Sequence, residues 1–90
     1  MPRLRVDKGY EKAARNLSPA DRERASRTLL RFMDDPTHPS LNFEALKGRA
    51  GYFSIRATLS IRVLLREESD EGGVLYVAID VGSHQIYRRR

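Results

Sequence analysis

Apolar residues near the start of the chain recur with the period of an α-helix. Before them, apolar and basic residues alternate over residues 3–6, which predicts a short first strand. Asp7 can cap a helix, since its carboxylate can accept a hydrogen bond from a backbone N–H of the first turn. The apolar positions that follow are spaced i, i+3, i+4 and i+7 and form one stripe: Tyr10, Ala13, Ala14 and Leu17.

A second helix is predicted to begin at Ser18-Pro19, because serine is a good N-cap and proline suits the first helical position. Two aspartates and a proline at residues 34–36 end it, since proline cannot continue a helix. Residues 7–34 therefore predict a helical hairpin with a tight link. The apolar face of its second helix consists of Ala25, Leu29, Phe32 and Met33.

In the second half of the chain the period changes to two. Residues 35–51 predict mostly loop, with a short strand near Phe43–Leu46. Three strands are predicted from Tyr52 onward, and a polar turn over Glu68–Gly73 separates the last two. The apolar residues expected to face the helices are Phe53, Ile55, Ala57, Ile61, Val63, Leu65, Leu75, Val77, Ile79 and Val81.

Short links between successive strands favour an antiparallel meander. Its apolar face needs a cover, and the helical hairpin is the element available for it. A chain of 90 residues has room for one domain. The sequence therefore predicts an α+β fold, in which an N-terminal helical hairpin packs on one face of a small antiparallel β-sheet, as a single domain over residues 1–90.

An arginine pair is predicted on the sheet face that points away from the helices. If Thr58–Ser60 form a three-residue hairpin loop, Arg56 and Arg62 lie directly opposite each other. Like charges in that position destabilise a sheet, so folding alone gives little reason for them. Two fixed guanidinium groups make a phosphate clamp and can stabilise charge on a phosphorane-like transition state. The alternative is that each arginine pairs with a carboxylate such as Glu44 or Glu68.

Composition supports an anionic partner and narrows the chemistry. There are 17 lysines and arginines against 12 acidic residues, a net charge of +5, and 14 of the 17 are arginine. Arginine matches phosphate geometry, although a GC-rich genome also enriches it. Without cysteine and with only two histidines, disulfides, metal sites and other cofactors are not expected. No apolar run could span a membrane or serve as a signal peptide, so we expect a soluble cytoplasmic protein.

Other candidate residues are weaker when taken singly. His84 follows the last strand and is either a proton carrier or an ordinary surface residue. Tyr87 can donate a proton or stack on a base, or it can close the core. Glu44 and Lys47 are by default surface residues. Further contacts to nucleic acid are expected from Arg66, which shares the face of Arg62, and from the tail Arg88, Arg89 and Arg90.

Four segments in this order resemble the RelE/ParE superfamily of type II toxin–antitoxin systems: Leu46-Lys47-Gly48, Gly51-Tyr52-Phe53-Ser54-Ile55-Arg56, Ile61-Arg62-Val63-Leu64 and Asp80-Val81-Gly82-Ser83-His84-Gln85-Ile86-Tyr87-Arg88. The resemblance extends over nearly the whole chain. It implies a microbial-RNase-like fold, metal-independent cleavage of mRNA in the ribosomal A site, and neutralisation by a small antitoxin in a hetero-oligomer.

The resemblance also implies roles for individual residues. Arg62 matches the arginine that contacts the scissile phosphate, and Arg56 matches a basic position on the preceding strand. Glu44 resembles the general-base glutamate of the YoeB-like branch, while His84 and Tyr87 resemble the C-terminal acid and tyrosine. That branch has histidine and tyrosine adjacent, whereas here they are three residues apart, so either can be the acid.

The sequence departs from each branch of the superfamily in some respect. The RelE branch carries a basic cluster around its first long strand, and here only Lys47 and Arg56 could serve. The ParE branch poisons DNA gyrase and lacks the RNase residues, so a gyrase inhibitor is one alternative. A non-catalytic homologue that only binds an antitoxin is another. The presence of Arg62, His84 and Tyr87 favours the ribonuclease.

Overall fold

Two helices and five strands make up most of residues 2–87, the part of the chain that the computed structural model describes, with the His84 side chain excepted. The structure also contains two short 3-10 helices, at Pro39–Leu41 and at His84–Tyr87. The helices and strands, in chain order, are β1 (Arg3–Val6), α1 (Lys8–Ala14), α2 (Pro19–Asp34), β2 (Glu44–Ala45), β3 (Tyr52–Arg56), β4 (Arg62–Asp70) and β5 (Gly73–Gly82).

Both predicted helix caps are present. The Asp7 carboxylate accepts a hydrogen bond from the Tyr10 N–H at 3.1 Å, and Ser18 Oγ accepts one from the Asp21 N–H at 3.1 Å. The link between the helices is held by Arg22, which donates to the backbone carbonyls of Ala14 and Leu17. These bonds tie the first turns of α2 to the end of α1 and to the link that follows it. Neither helix is long and apolar enough to cross a bilayer, nor is any other in residues 2–87.

The sheet has the strand order β1-β5-β4-β3-β2. The antiparallel meander is confirmed for β3, β4 and β5, and the short strand predicted near Phe43–Leu46 is β2, antiparallel to β3. The first strand differs from the prediction of a wholly antiparallel sheet, because β1 lies parallel to β5. The helical hairpin carries the chain away from β1 before the meander begins, and this long connection permits parallel pairing.

The predicted turn over Glu68–Gly73 is shorter than expected. β4 continues to Asp70, and only Glu71 and Gly72 separate it from β5. The charged residues at this end of β4 have partners in β1. Arg5 pairs with Glu68 at 3.2 Å and Arg3 pairs with Asp70 at 2.7 Å.

A β-bulge changes which residues of β5 face the helices. Leu64 pairs with Asp80 but Leu65 pairs with Ala78, so Ile79 is inserted between the two paired positions. The alternation therefore shifts by one residue at this point. Of the four β5 residues expected to face the helices, only Val81 does; the expectation is wrong for Leu75, Val77 and Ile79, which lie on the opposite face.

The sheet has an apolar core on each face. The predicted core, under the helices, contains Ala25, Leu29 and Phe32 of α2, whereas Met33 is only partly buried. The other core, called the outer core here, was not predicted. Its buried members are Leu64, Val77, Ile79 and Ile86. Ile86 belongs to the 3-10 helix His84–Tyr87, so this C-terminal helix covers part of the sheet face opposite α1 and α2.

Candidate functional site

The arginine pair is formed as the sequence predicts. Arg56 is paired with Arg62 across β3 and β4 on the outer face, the sheet face that points away from the helices. Residues in such positions have Cβ atoms about 5 Å apart. The hairpin loop between them is ordered by Thr58, whose Oγ1 accepts hydrogen bonds from the N–H groups of Ser60 and Ile61 at 3.2 and 3.0 Å.

The loop also holds Arg62. Its Nη1 donates to the backbone carbonyl of Thr58 at 2.8 Å, and longer bonds of 3.2 and 3.3 Å reach the carbonyls of Leu59 and Ile61. These acceptors are neutral, so they fix the guanidinium without cancelling its charge. No carboxylate within residues 2–87 forms an ion pair with it. Arg62 is therefore pre-positioned and still able to attract an anion.

Arg56 is less satisfied than Arg62. Its Nε is buried and has no hydrogen-bond partner, and the described part of the chain offers the side chain no ion pair. The carboxylate pairing that was the alternative explanation for this arginine is thus not found there. Glu68 bonds to Arg5 and Arg66 instead. An unpaired buried N–H is unfavourable, so Arg56 is held in this position at a cost to stability.

Glu44 lies on the outer face beside the pair. It is paired with Ser54 of β3, two residues before Arg56, so Glu44 and Arg56 are diagonal neighbours with Cα atoms about 7–8 Å apart. The glutamate is exposed, and its side chain forms no ion pair with residues 2–87. An exposed carboxylate and a guanidinium without an ion-pair partner in residues 2–87 are thus neighbours on this face.

The C-terminal candidates follow directly after the strand that flanks Arg62. Arg62 is paired with Gly82 at the end of β5, and the 3-10 helix His84–Tyr87 begins two residues later. Tyr87 is partly buried against the outer core. The backbone of His84 is described but its side chain is not, and Arg88, Arg89 and Arg90 lie outside the described residues.

The other residues predicted to contact nucleic acid differ in whether their charge is free to bind an anion. Arg66 is on the outer face, but its Nε and Nη2 both donate to Glu68 Oε2, at 2.8 and 2.6 Å, so its charge is largely compensated. Lys47 is exposed just after β2 and has no ion-pair partner within residues 2–87. The arrangement therefore brings together Glu44, Arg56 and Arg62, with Lys47 at the edge.

One acid of the outer face was missed from the sequence. Asp80 is only 3% exposed, and its Oδ1 accepts a hydrogen bond from the Val81 N–H at 2.9 Å. It is paired with Leu64, which in turn is paired with Ser54, so Asp80 lies in the same cross-strand row as Glu44. An aspartate inside an apolar run of a central strand is the signal that could have drawn attention to it.

Comparison with known proteins identifies the fold. No protein-family model and no curated protein sequence matches the chain. Among solved structures, the YoeB/ParE toxin from Agrobacterium tumefaciens is similar with a TM-score of 0.70 and 20% identity, over 91% of this chain and 98% of that one. The RelBE2 toxin–antitoxin complex from Mycobacterium tuberculosis gives a TM-score of 0.72 and 20% identity, over 93% and 100%.

A third structure agrees with these two. The isolated RelE toxin of Escherichia coli matches with a TM-score of 0.65 and 19% identity, over 99% of this chain and 94% of the toxin. The likenesses cover almost the full length of each chain. They show that the protein has the α+β fold of the RelE, YoeB and ParE toxins.

Proposed function

We propose that this protein is the toxin of a type II toxin–antitoxin system and that it cleaves mRNA in the ribosomal A site. The observation that carries the proposal is the arginine pair on the outer face. Arg56 and Arg62 keep their charges uncompensated by any described carboxylate, and the free carboxylate of Glu44 lies next to them. The toxin fold and the net charge of +5 agree with it.

RNA cleavage can be carried out by side chains of these kinds. In this mechanism Glu44 accepts the proton of a ribose 2′-OH, and the 2′ oxygen attacks the adjacent phosphorus. Arg62 and Arg56 bind the phosphate oxygens and stabilise the extra negative charge of the transition state. The bond from phosphorus to the 5′ oxygen then breaks, and that oxygen takes a proton from His84 or Tyr87. The products are a 2′,3′-cyclic phosphate and a 5′-hydroxyl.

The loop carbonyls that hold Arg62 contribute to this chemistry by positioning. A guanidinium already bonded to the carbonyls of Thr58 and Leu59 loses little side-chain entropy when phosphate binds. Arg62 therefore serves as the fixed part of the phosphate site, and Arg56 completes it when the substrate arrives.

The proposed partners are an antitoxin and the translating ribosome. Several solved structures with this fold are complexes of a RelE toxin with a RelB antitoxin, including one from Pyrococcus horikoshii and the intact Escherichia coli complex. We expect an antitoxin to neutralise this protein in a similar hetero-oligomer. Acidic residues of such a partner would complement the uncompensated arginines on the outer face.

The test is to add the protein to a translating cell-free extract and map the 5′ ends of the mRNA. Cuts at ribosome-occupied codons are expected from the wild-type protein and from Arg15→Ala, a control that removes an exposed arginine outside the proposed site. The Arg62→Ala variant is expected to produce no such cuts. Blocked translation with intact mRNA would reject the ribonuclease. In cells that express the protein, growth arrest with intact mRNA and a DNA-damage response would point to gyrase.

A further inference from the structure

A second group of arginines surrounds a cavity between α2 and the hairpin loop. The cavity has a volume of about 480 Å³. Four arginines line it: Arg24, Arg27 and Arg31 of α2, and Arg56 of β3. No acidic residue is among the residues that line it. We call it the arginine cavity.

Most of the positive charge in the arginine cavity is uncompensated. Arg27 forms an ion pair with Glu23 one turn earlier on α2. Arg31 donates to the Ser40 hydroxyl at 3.0 Å, which leaves its charge intact. Neither Arg24 nor Arg56 has an ion-pair partner in residues 2–87. One of four charges is therefore balanced, and an anion in the cavity would relieve the repulsion among the others.

The lining favours phosphate over an acidic protein segment. Protein partners anchor their interfaces with apolar and aromatic side chains in pockets. Leu41 lines the arginine cavity but is only 1% exposed, so it offers almost no contact surface. Leu59 is the one large exposed apolar side chain among the lining residues, and Ala57 is small. The four arginines and three hydroxyl residues, Thr28, Ser40 and Thr58, make up most of the lining. Arginine binds phosphate oxygens through two parallel N–H donors.

The arginine cavity is continuous with the proposed cleavage site. Arg56 belongs to both, since it is paired with Arg62 and lines the cavity. Thr58 and Leu59 also line the cavity, and their carbonyls are the ones that hold Arg62. The Cα atoms of Arg24 and Arg31 are about 10.5 Å apart along the helix axis. An RNA strand bound at Arg62 would thus meet a further row of cations at the hairpin loop.

We propose that the arginine cavity is a second phosphate site, which binds the RNA backbone next to the cleaved phosphate and extends the substrate contact from the outer face to α2. This inference rests on the proposed function for the position of the RNA. It adds a substrate subsite formed by Arg24, Arg27 and Arg31 to the residues that act on the cleaved bond.

The test measures equilibrium binding of RNA that carries a 2′-deoxy nucleotide at the cleavage position and is therefore not cut. Binding is followed over a salt series for wild type, for the double variant Arg24→Gln/Arg31→Gln, and for the control Lys8→Gln/Arg15→Gln. The control removes the same charge from exposed positions at the two ends of α1, its first residue and its C-cap. For single strands, each lost phosphate contact lowers the slope of log affinity against log salt by about 0.7.

The cavity variant is expected to reduce that slope by about 1.4 on a nine-nucleotide RNA and to bind a trinucleotide like wild type. The control is expected to keep the wild-type slope. Equal slopes for the cavity variant and wild type would overturn the second site, as would equal losses in variant and control. Tighter binding of a polyglutamate peptide than of the RNA, lost in the cavity variant, would replace it with a site for an acidic protein.

The outcomes separate this inference from the proposed function. If Arg62→Ala abolishes mRNA cleavage but the cavity variant keeps the wild-type salt slope, only the second site is wrong. If Arg62→Ala leaves cleavage unchanged, the proposed function fails whatever the salt slopes are. Circular dichroism of the cavity variant provides the folding control, because glutamine is a good helix former at exposed positions.

Discussion

The outer core makes a quantitative prediction about how the C-terminal 3-10 helix is held. Ile86 is fully buried against Leu64, Val77 and Ile79, and among the described side chains of His84–Tyr87 it is the only buried member of that core. Isoleucine-to-alanine changes in a core destabilise by about 2–5 kcal/mol. We expect Ile86→Ala to lie near the lower end, about 2–3 kcal/mol, because a short 3-10 helix on the sheet surface can relax into the void.

The expected loss converts into a thermal shift. For a domain of this size each kcal/mol lowers the midpoint of unfolding by about 4–8 °C, so Ile86→Ala is expected to unfold some 8–24 °C below wild type. Calorimetry at neutral pH measures this directly. The control is Leu30→Ala, since Leu30 is 62% exposed on α2 and its truncation is expected to shift the midpoint by less than a quarter as much.

The result also bears on the proposed site, because the same 3-10 helix carries the two candidate acids. Ile86→Ala is expected to reduce RNA cleavage more than its fraction of unfolded protein explains. A midpoint within 2–3 °C of wild type, or equal to that of Leu30→Ala, would refute the reasoning that Ile86 anchors this helix on the sheet.

Three further outcomes are expected. Arg56→Met is expected to raise the free energy of unfolding by about 1 kcal/mol in urea titrations, because it removes a buried unpaired N–H and a like charge opposite Arg62. The same variant is expected to reduce the rate of RNA cleavage at least tenfold. A lower stability than wild type would contradict this reasoning. Glu44→Gln is expected to slow single-turnover cleavage about 10²–10⁴-fold without moving the unfolding midpoint, since the side chain is exposed; wild-type cleavage would exclude Glu44 as the base. Hydrogen bonds from Arg3 and from the Gly72 N–H lower the pKa of Asp70 below its ordinary value of 3.8, so its stabilising effect is present above that value and disappears as pH falls through the lower folded pKa. Asp70→Asn is therefore expected to show a shallower loss of stability than wild type on acidification below pH 3.8, and parallel profiles would contradict it.

Local chemistry made the helices and the arginine pair predictable. Asp7, Ser18 and Pro19 are strong start signals whose effects depend on the next few residues only. The opposition of Arg56 and Arg62 follows from strict alternation in two strands joined by a short loop, so a pattern of period two is enough to find it.

The features that were missed depend on contacts between distant segments. The direction of β1 depends on where the chain returns after the helical hairpin. The bulge at Ile79 could not be located because both faces of β5 are apolar, and either register therefore looks equally good in the sequence. Ile86 helps to cover that second apolar face, together with partly buried residues such as Leu46 and Tyr52. A single isoleucine in a polar C-terminal segment does not predict this contact.

The arginine cavity and the hydrogen bonds of Arg62 could not be predicted either, since both depend on the three-dimensional arrangement of the chain. Arg24, Arg27 and Arg31 form an ordinary basic helix face when read along the chain. Only the packing of α2 beside the hairpin loop turns that face into one wall of a cavity that includes Arg56. The carbonyl bonds that fix Arg62 likewise arise from the shape of the loop, which residue types do not specify.

The central claim is that the arginine pair stabilises a cleaved phosphate, and single-turnover cleavage of mRNA on purified programmed ribosomes tests it most directly. Wild type and Arg15→Ala are expected to produce 5′-hydroxyl and 2′,3′-cyclic phosphate ends at equal rates. Arg62→Ala is expected to be about 10²–10³-fold slower while remaining folded, as for loss of one transition-state donor. Cleavage by Arg62→Ala at the wild-type rate, or 5′-phosphate ends, would contradict the account.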